Sequence, residues 1–116
     1  MTMTPRHTLQ RLHNILQNRS VDGAQWLERV MALCDQDELA CHRELNSKRM
    51  WGGAGSIANE ALADNPGREA WLWQAETREF RELMIELGEY LKARGNASPD
   101  ISSWLLAFSN WNQSGV

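Results

Sequence analysis

Between residues 69 and 94 the chain places Trp73, Phe80, Met84, Leu87 and Leu91 at spacings of 7, 4, 3 and 4, with Leu83 and Tyr90 beside them. That is the repeat of one face of an α-helix, and no strand-like alternation of useful length occurs anywhere else in the chain. The opposite face carries Arg78, Glu79, Arg81, Glu82, Glu86, Glu89 and Lys92, a charged and solvated surface. A long amphipathic helix of this kind is stable only when other elements cover its apolar stripe. Gly88, which costs about 1 kcal/mol against alanine inside a helix, marks the point where a neighbour is expected to come close.

The neighbours are legible in the rest of the chain. Leu9, Leu12, Ile15 and Leu16 line one face of a helix over 8–18, with Thr4 or Thr8 near its start. Trp26, Leu27, Val30, Met31, Leu33 and Cys34 form a broader stripe behind a cap at Asp22, and Leu39, Cys41 or His42, and Leu45 face inward in a third helix reaching about Met50. Ile57, Ala58, Ala61 and Leu62 make a short helix ended by the turn signal Asp64-Asn65-Pro66-Gly67. Gly95-Asn96 stops the long helix, and Ser98-Pro99-Asp100 restarts one carrying Ile101, Trp104, Leu105, Phe108 and Trp111. The 116 residues therefore predict an all-α, single-domain bundle of five to six helices (1–116), with one long central helix at about 69–94. A chain of this length buries roughly two thirds of its unfolded surface, enough for one core and not two.

No apolar run approaches the roughly 20 residues that span a bilayer, and residues 1–10 lack an apolar secretion block. The expectation is a cytoplasmic protein without a membrane partner. Cys34 and Cys41, the only two cysteines, are expected there as buried thiols rather than a bridge. The net charge is −3, which argues against a dedicated nucleic-acid binder. Charge is nonetheless uneven: residues 1–20 hold Arg6, Arg11 and Arg19 with no acid, and 21–64 hold eight acids against four bases. The N-terminal arginines leave a nucleic-acid-associated regulator as a third reading.

Three glycines in four positions, Gly52, Gly53 and Gly55, interrupt the helix-building sequence between Lys48-Arg49 and Ser56. Such a stretch gives up chain entropy for backbone freedom and predicts a sharp helix–loop–helix corner. Gly53-Ala54-Gly55-Ser56-Ile57-Ala58 matches the dinucleotide fingerprint in form, but a polar, helical segment precedes it where a buried strand is required. A structural corner is the main expectation. The alternative is a small anionic-ligand or enzymatic site at Gly52–Ser56, where amides of Gly55, Ser56 and Ile57, with Lys48 or Arg49, hold a phosphate or carboxylate and Gly53 and Asn59 line it.

Catalytic and metal chemistry find no support in spacing. His7, His13 and His42 include no i, i+4 pair, Ser56 lacks the second glycine of a nucleophile elbow, and Asp35-Gln36-Asp37-Glu38 does not continue as a calcium loop. No metal, cofactor or catalytic residue is assigned, and the chain is read as a non-enzyme. Six tryptophans against two phenylalanines and one tyrosine need a role. Trp26, Trp73, Trp104 and Trp111 fall on apolar stripes, whereas Trp51 and Trp71 stand where a ring can be exposed and serve a protein interface.

The segment Arg49-Met50-Trp51-Gly52-Gly53-Ala54-Gly55-Ser56-Ile57-Ala58-Asn59-Glu60-Ala61-Leu62 resembles small uncharacterised bacterial helical proteins with an aromatic-Gly-Gly-Met-Gly-Ser core. Some of those resemble immunity proteins encoded beside toxins. Ala54 stands in place of the usual methionine, and Asn59-Glu60 in place of Asn-Asp. The resemblance implies a helical bacterial domain and carries over no catalytic residue. The leading expectation is a protein-binding module of immunity type, engaging a basic partner through Asp35, Asp37, Glu38 and Glu60 with Trp51 as an aromatic anchor.

Overall fold

A computed structural model describes residues 5–62 and 69–115, and among them every regular element is helical. The order is α1 (Arg6–Leu16), α2 (Val21–Gln36), α3 (Glu38–Leu45), α4 (Lys48–Trp51), a 3-10 turn (Ala58–Leu62), α5 (Ala70–Arg94) and α6 (Asp100–Ser114). The expected all-α bundle with a long central helix is the observed architecture. The Asp64–Gly67 turn signal and Thr4 lie outside the described residues.

α5 organises the rest. Its 25 residues amount to about 37 Å of helix, nearly the whole 39 Å long dimension of the molecule. α1 packs along one side and α6 along another; α2 packs on α1, and α3 packs on α2. The apolar periodicity becomes the core: Phe80, Met84, Leu87 and Leu91 of α5 have no exposed surface, and they share the interior with Leu12, Leu16, Leu27, Leu45, Ile101 and Phe108. At Gly88 α6 comes close to α5. A Cβ built there would stand 2.7 Å from Leu105 Cδ2 and 3.1 Å from Ile101 Cγ2, so the missing side chain lets the two helices close.

Four local expectations are corrected. The cap of α2 is Ser20, extended at φ −152°, whose hydroxyl accepts from Gly23 N, while Asp22, in the first turn, is exposed and pairs with Arg49. The third helix does not reach Met50. Its run ends at Asn46, which turns its amide group across the chain: Nδ2 donates to His42 O, and Oδ1 accepts from Ser98 N 3.2 Å away. Ser47 then restarts the chain as α4. Leu39, expected inward, is 78% exposed. At about 100° per residue it stands roughly 200° around α3 from Cys41, and Cys41 and Leu45 are the buried pair.

The fourth correction concerns the cysteines. Cys34 and Cys41 are joined as a disulfide, with Cα atoms 4.6 Å apart. Asp37 makes this approach possible: its extended backbone, φ −149°, reverses the chain between α2 and α3, and its carboxylate caps α3 by accepting from Ala40 N.

Candidate functional site

Two places gather the residues that the sequence singled out. The first is the glycine corner. α4 ends with Gly52 N donating to Lys48 O at 2.8 Å. A Cβ on Gly52 would sit 2.5 Å from that same carbonyl oxygen, so only glycine lets the chain turn so tightly there. Gly55 supplies the positive φ of +86° that the return requires. Ser56, nearly buried, donates its hydroxyl to Gly52 O and accepts from Asn59 N, capping the 3-10 turn. Ile57 N donates to Arg49 O and Ser56 N to Gly53 O.

These bonds correct the anion-site expectation. Two of the three amides expected to hold a ligand, those of Ser56 and Ile57, are consumed within the corner. The cations are engaged as well: Arg49 donates to Gly55 O at 2.7 Å and to Asp22 at 3.1 Å, and Lys48 pairs with Asp100 at 3.4 Å. What remains is an open cleft of about 470 Å³ bordered by Gly52, Gly53 and Ala54 on one side and Asp100, Ser103 and Trp104 on the other.

Trp51 is not an exposed anchor. It has no exposed surface, its indole N–H donates to Leu45 O at 2.7 Å, and its own carbonyl accepts from the Trp104 indole at 2.8 Å. A large ring beside a glycine turn has been drawn into the core because the turn brings the backbone close enough to bond it. Trp71 is the tryptophan that stays 64% exposed, with its N–H on Glu69.

The acids expected to form one partner surface fall in two places. Glu60 lies at the glycine-corner end of α2. Burial holds its carboxyl above the ordinary carboxylate range, with Arg19 and Arg49 pulling in the opposite direction. Asp35, Asp37 and Glu38 lie at the other end of α2, whose sixteen residues span about 24 Å. The expected composite of Trp51, Glu60 and the three acids Asp35, Asp37 and Glu38 is therefore not assembled.

The second place is this α2–α3 corner. Leu39 stands exposed on the outer side of the turn, with Asp35 and Glu38 side chains 54% and 53% exposed nearby. Arg6 pairs with Asp35, and Arg94 with Glu38 at 3.3 Å. Beside Leu39 an open groove of about 490 Å³ runs past His42, Arg43 and Asn46 to Arg94 and the Gly95-Asn96 turn. His42 Nε2 lies 3.1 Å from the Tyr90 hydroxyl. Burial first, and then the Arg94 charge, hold this imidazole below its ordinary pKa, against a smaller opposite pull from Glu38. Sequence reasoning missed Leu39 as a surface residue, because with Cys41 or His42 both open as the inward position the phase of α3 was not settled; the Cys34–Cys41 bridge settles it.

The N-terminal arginines are not presented as a cationic patch. Arg11 binds Glu79 of α5, and Arg19 is fully buried, donating to Glu76, Thr77 and Trp73 O with its guanidinium 3.5 Å from the Trp73 ring centroid. Among the described residues no three metal-ligating side chains are gathered, and no helix is long and apolar enough to cross a membrane. No family model matches the chain, and no curated protein or solved structure shows significant similarity to it.

Proposed function

We propose that the chain is a protein-binding module that presents the α2–α3 corner to a basic partner. The observation that carries this reading is Leu39, an aliphatic side chain 78% exposed and flanked by Asp35, Asp37 and Glu38. An apolar knob within a polar rim is the arrangement of an interface anchor. The disulfide at its base and the Asp37 cap hold the turn in one shape, so less ordering entropy opposes binding. The Arg6–Asp35 and Arg94–Glu38 pairs do not block such a partner. Exposed ion pairs contribute about 0–1 kcal/mol, so a partner's cations exchange with them easily. Bacterial toxin immunity, drawn from the resemblance of residues 49–62, is the specific case of this reading, and a cytosolic location belongs to it.

Capture from host lysate with the wild type, Leu39→Arg and the double reversal Asp35→Lys/Glu38→Lys tests the reading. A partner retained by the wild type, lost with Leu39→Arg and weakened by salt is the expected result. Retention of every partner by both variants would overturn it.

The open cleft of about 470 Å³ at the glycine corner supports a second reading, a small polar ligand stacked on Trp104. Isothermal titration calorimetry of the protein with a library of small polar metabolites tests it. Binding that Ala54→Trp abolishes supports the site, and no binding rejects it.

A further inference from the structure

We infer that the Cys34–Cys41 disulfide is an exchangeable clamp, opened by a dithiol that attacks Cys34 Sγ, and that it controls the first turn of α3. The two sulfurs sit in opposite settings. Cys34 is two residues from the end of α2 (Val21–Gln36), where helix carbonyls place negative potential, and it is half-buried. Cys41 is the fourth residue of α3 (Glu38–Leu45), near the positive end of that helix, and has no exposed surface.

Exchange requires one sulfur that can be reached and another that leaves well as a thiolate. Burial withholds Cys41 from an external thiol, so attack falls on Cys34. Burial by itself disfavours the departing Cys41 thiolate, and the α3 N-terminus offsets that by placing positive potential beside the sulfur. A thiolate of the dithiol bonds to Cys34 Sγ, the Cys34–Cys41 bond breaks, and its electron pair goes to Cys41 Sγ. The second thiolate of the reductant attacks its partner sulfur in the mixed disulfide and expels the Cys34 thiolate. The reductant becomes a disulfide, losing two electrons to the cystine, and its two thiol protons pass to Cys34 and Cys41.

What the bond holds is local. α3 keeps Leu45 in the core, Asn46 on Ser98 and His42 on Tyr90, so opening releases mainly residues 37–40, the turn that carries Leu39. The inference concerns the chemistry of the bridge and stands whether or not the corner binds a partner.

The test uses the folded wild-type protein. Brief exposure to glutathione, a monothiol, then quenching with N-ethylmaleimide in denaturant, which reaches the freed thiol even where the fold buries it, and peptide mapping identify which sulfur is attacked. The expected product carries glutathione on Cys34 and maleimide on Cys41, in about tenfold excess over the reverse. Equal or reversed labelling overturns the assignment of the attacked sulfur. A bridge that dithiothreitol reduces only in denaturant overturns the exchangeable clamp. Hydrogen exchange before and after reduction reads the consequence: amides of residues 38–41 are expected to exchange about tenfold faster, with α5 unchanged. Unchanged protection in α3 would refute the control of that turn.

Discussion

Trp51→Phe separates the buried reading of Trp51 from the exposed one. Phenylalanine keeps an aromatic ring in the core but removes the indole N–H that Leu45 O accepts at 2.7 Å in a buried setting. A buried carbonyl left without its donor costs about 1–3 kcal/mol. The smaller ring also vacates about 40 Å³, which at about 24 cal/mol per Å³ adds about 1 kcal/mol. The expected loss is therefore about 2–4 kcal/mol, a large fraction of a stability of about 5–15 kcal/mol. For a chain of this size that corresponds to a fall in Tm of roughly 10 °C. Urea unfolding followed by far-ultraviolet circular dichroism gives the number, with an unchanged slope as the check that both proteins unfold in the same way. Trp71→Phe is the control: that ring is 64% exposed, and its replacement is expected to cost less than about 0.5 kcal/mol. A loss below about 1 kcal/mol for Trp51→Phe, or equal losses for both variants, would refute the buried assignment.

Other perturbations follow from the same contacts. Gly52→Ala puts a Cβ 2.5 Å from the Lys48 carbonyl, a backbone atom that cannot swing away, and is expected to lower stability by about 2 kcal/mol or more in the same urea assay. Gly53→Ala meets nothing within 4 Å and is expected to be near neutral, about ±0.5 kcal/mol. Gly88→Val forces α6 outward against Leu105 and Ile101 and is expected to cost about 1–3 kcal/mol through overpacking. His42, with its folded pKa below the unfolded value near 6.5, binds protons less well in the native state. Its contribution to stability is therefore complete above the unfolded pKa and declines as pH falls through the interval down to the folded pKa. The difference in Tm between pH 7.5 and 5.5 is expected to shrink in His42→Gln; an unchanged difference would contradict the shift.

The glycine stretch shows why local chemistry was readable while its use was not. Gly52 and Gly55 do what such residues do: one clears a carbonyl, and the other takes a positive φ. Whether the resulting corner was hollow depended on where its amides went. That was decided by Arg49 O and Gly53 O, bonds closed by the return of the chain and invisible in the order of residues. Trp51 failed as an exposed anchor for the same reason, because its partner, Leu45 O, becomes adjacent only after Asn46 and Ser47 have turned α3 into α4. The long helix was legible because its stripe repeats over many turns, and its phase is set by local geometry alone. The short α3 offered two turns, and Leu39 was assigned to the wrong face.

Leu39 and the disulfide are one structural event. Bringing the Cα atoms of Cys34 and Cys41 to 4.6 Å fixes the phase of α3 with Cys41 inward, and a helix with Cys41 and Leu45 inward has Leu39 outward. A sequence reading that keeps the cysteines apart leaves that phase open and lets an aliphatic residue default to the core. Closing the bridge removes the choice. The exposed leucine that best supports partner binding is thus coupled through one turn of helix to the bond proposed here as exchangeable. If the hydrogen-exchange experiment shows residues 38–41 loosening on reduction, partner capture repeated under dithiothreitol is expected to weaken with it; capture unaffected by that loosening would place the binding surface elsewhere on the molecule.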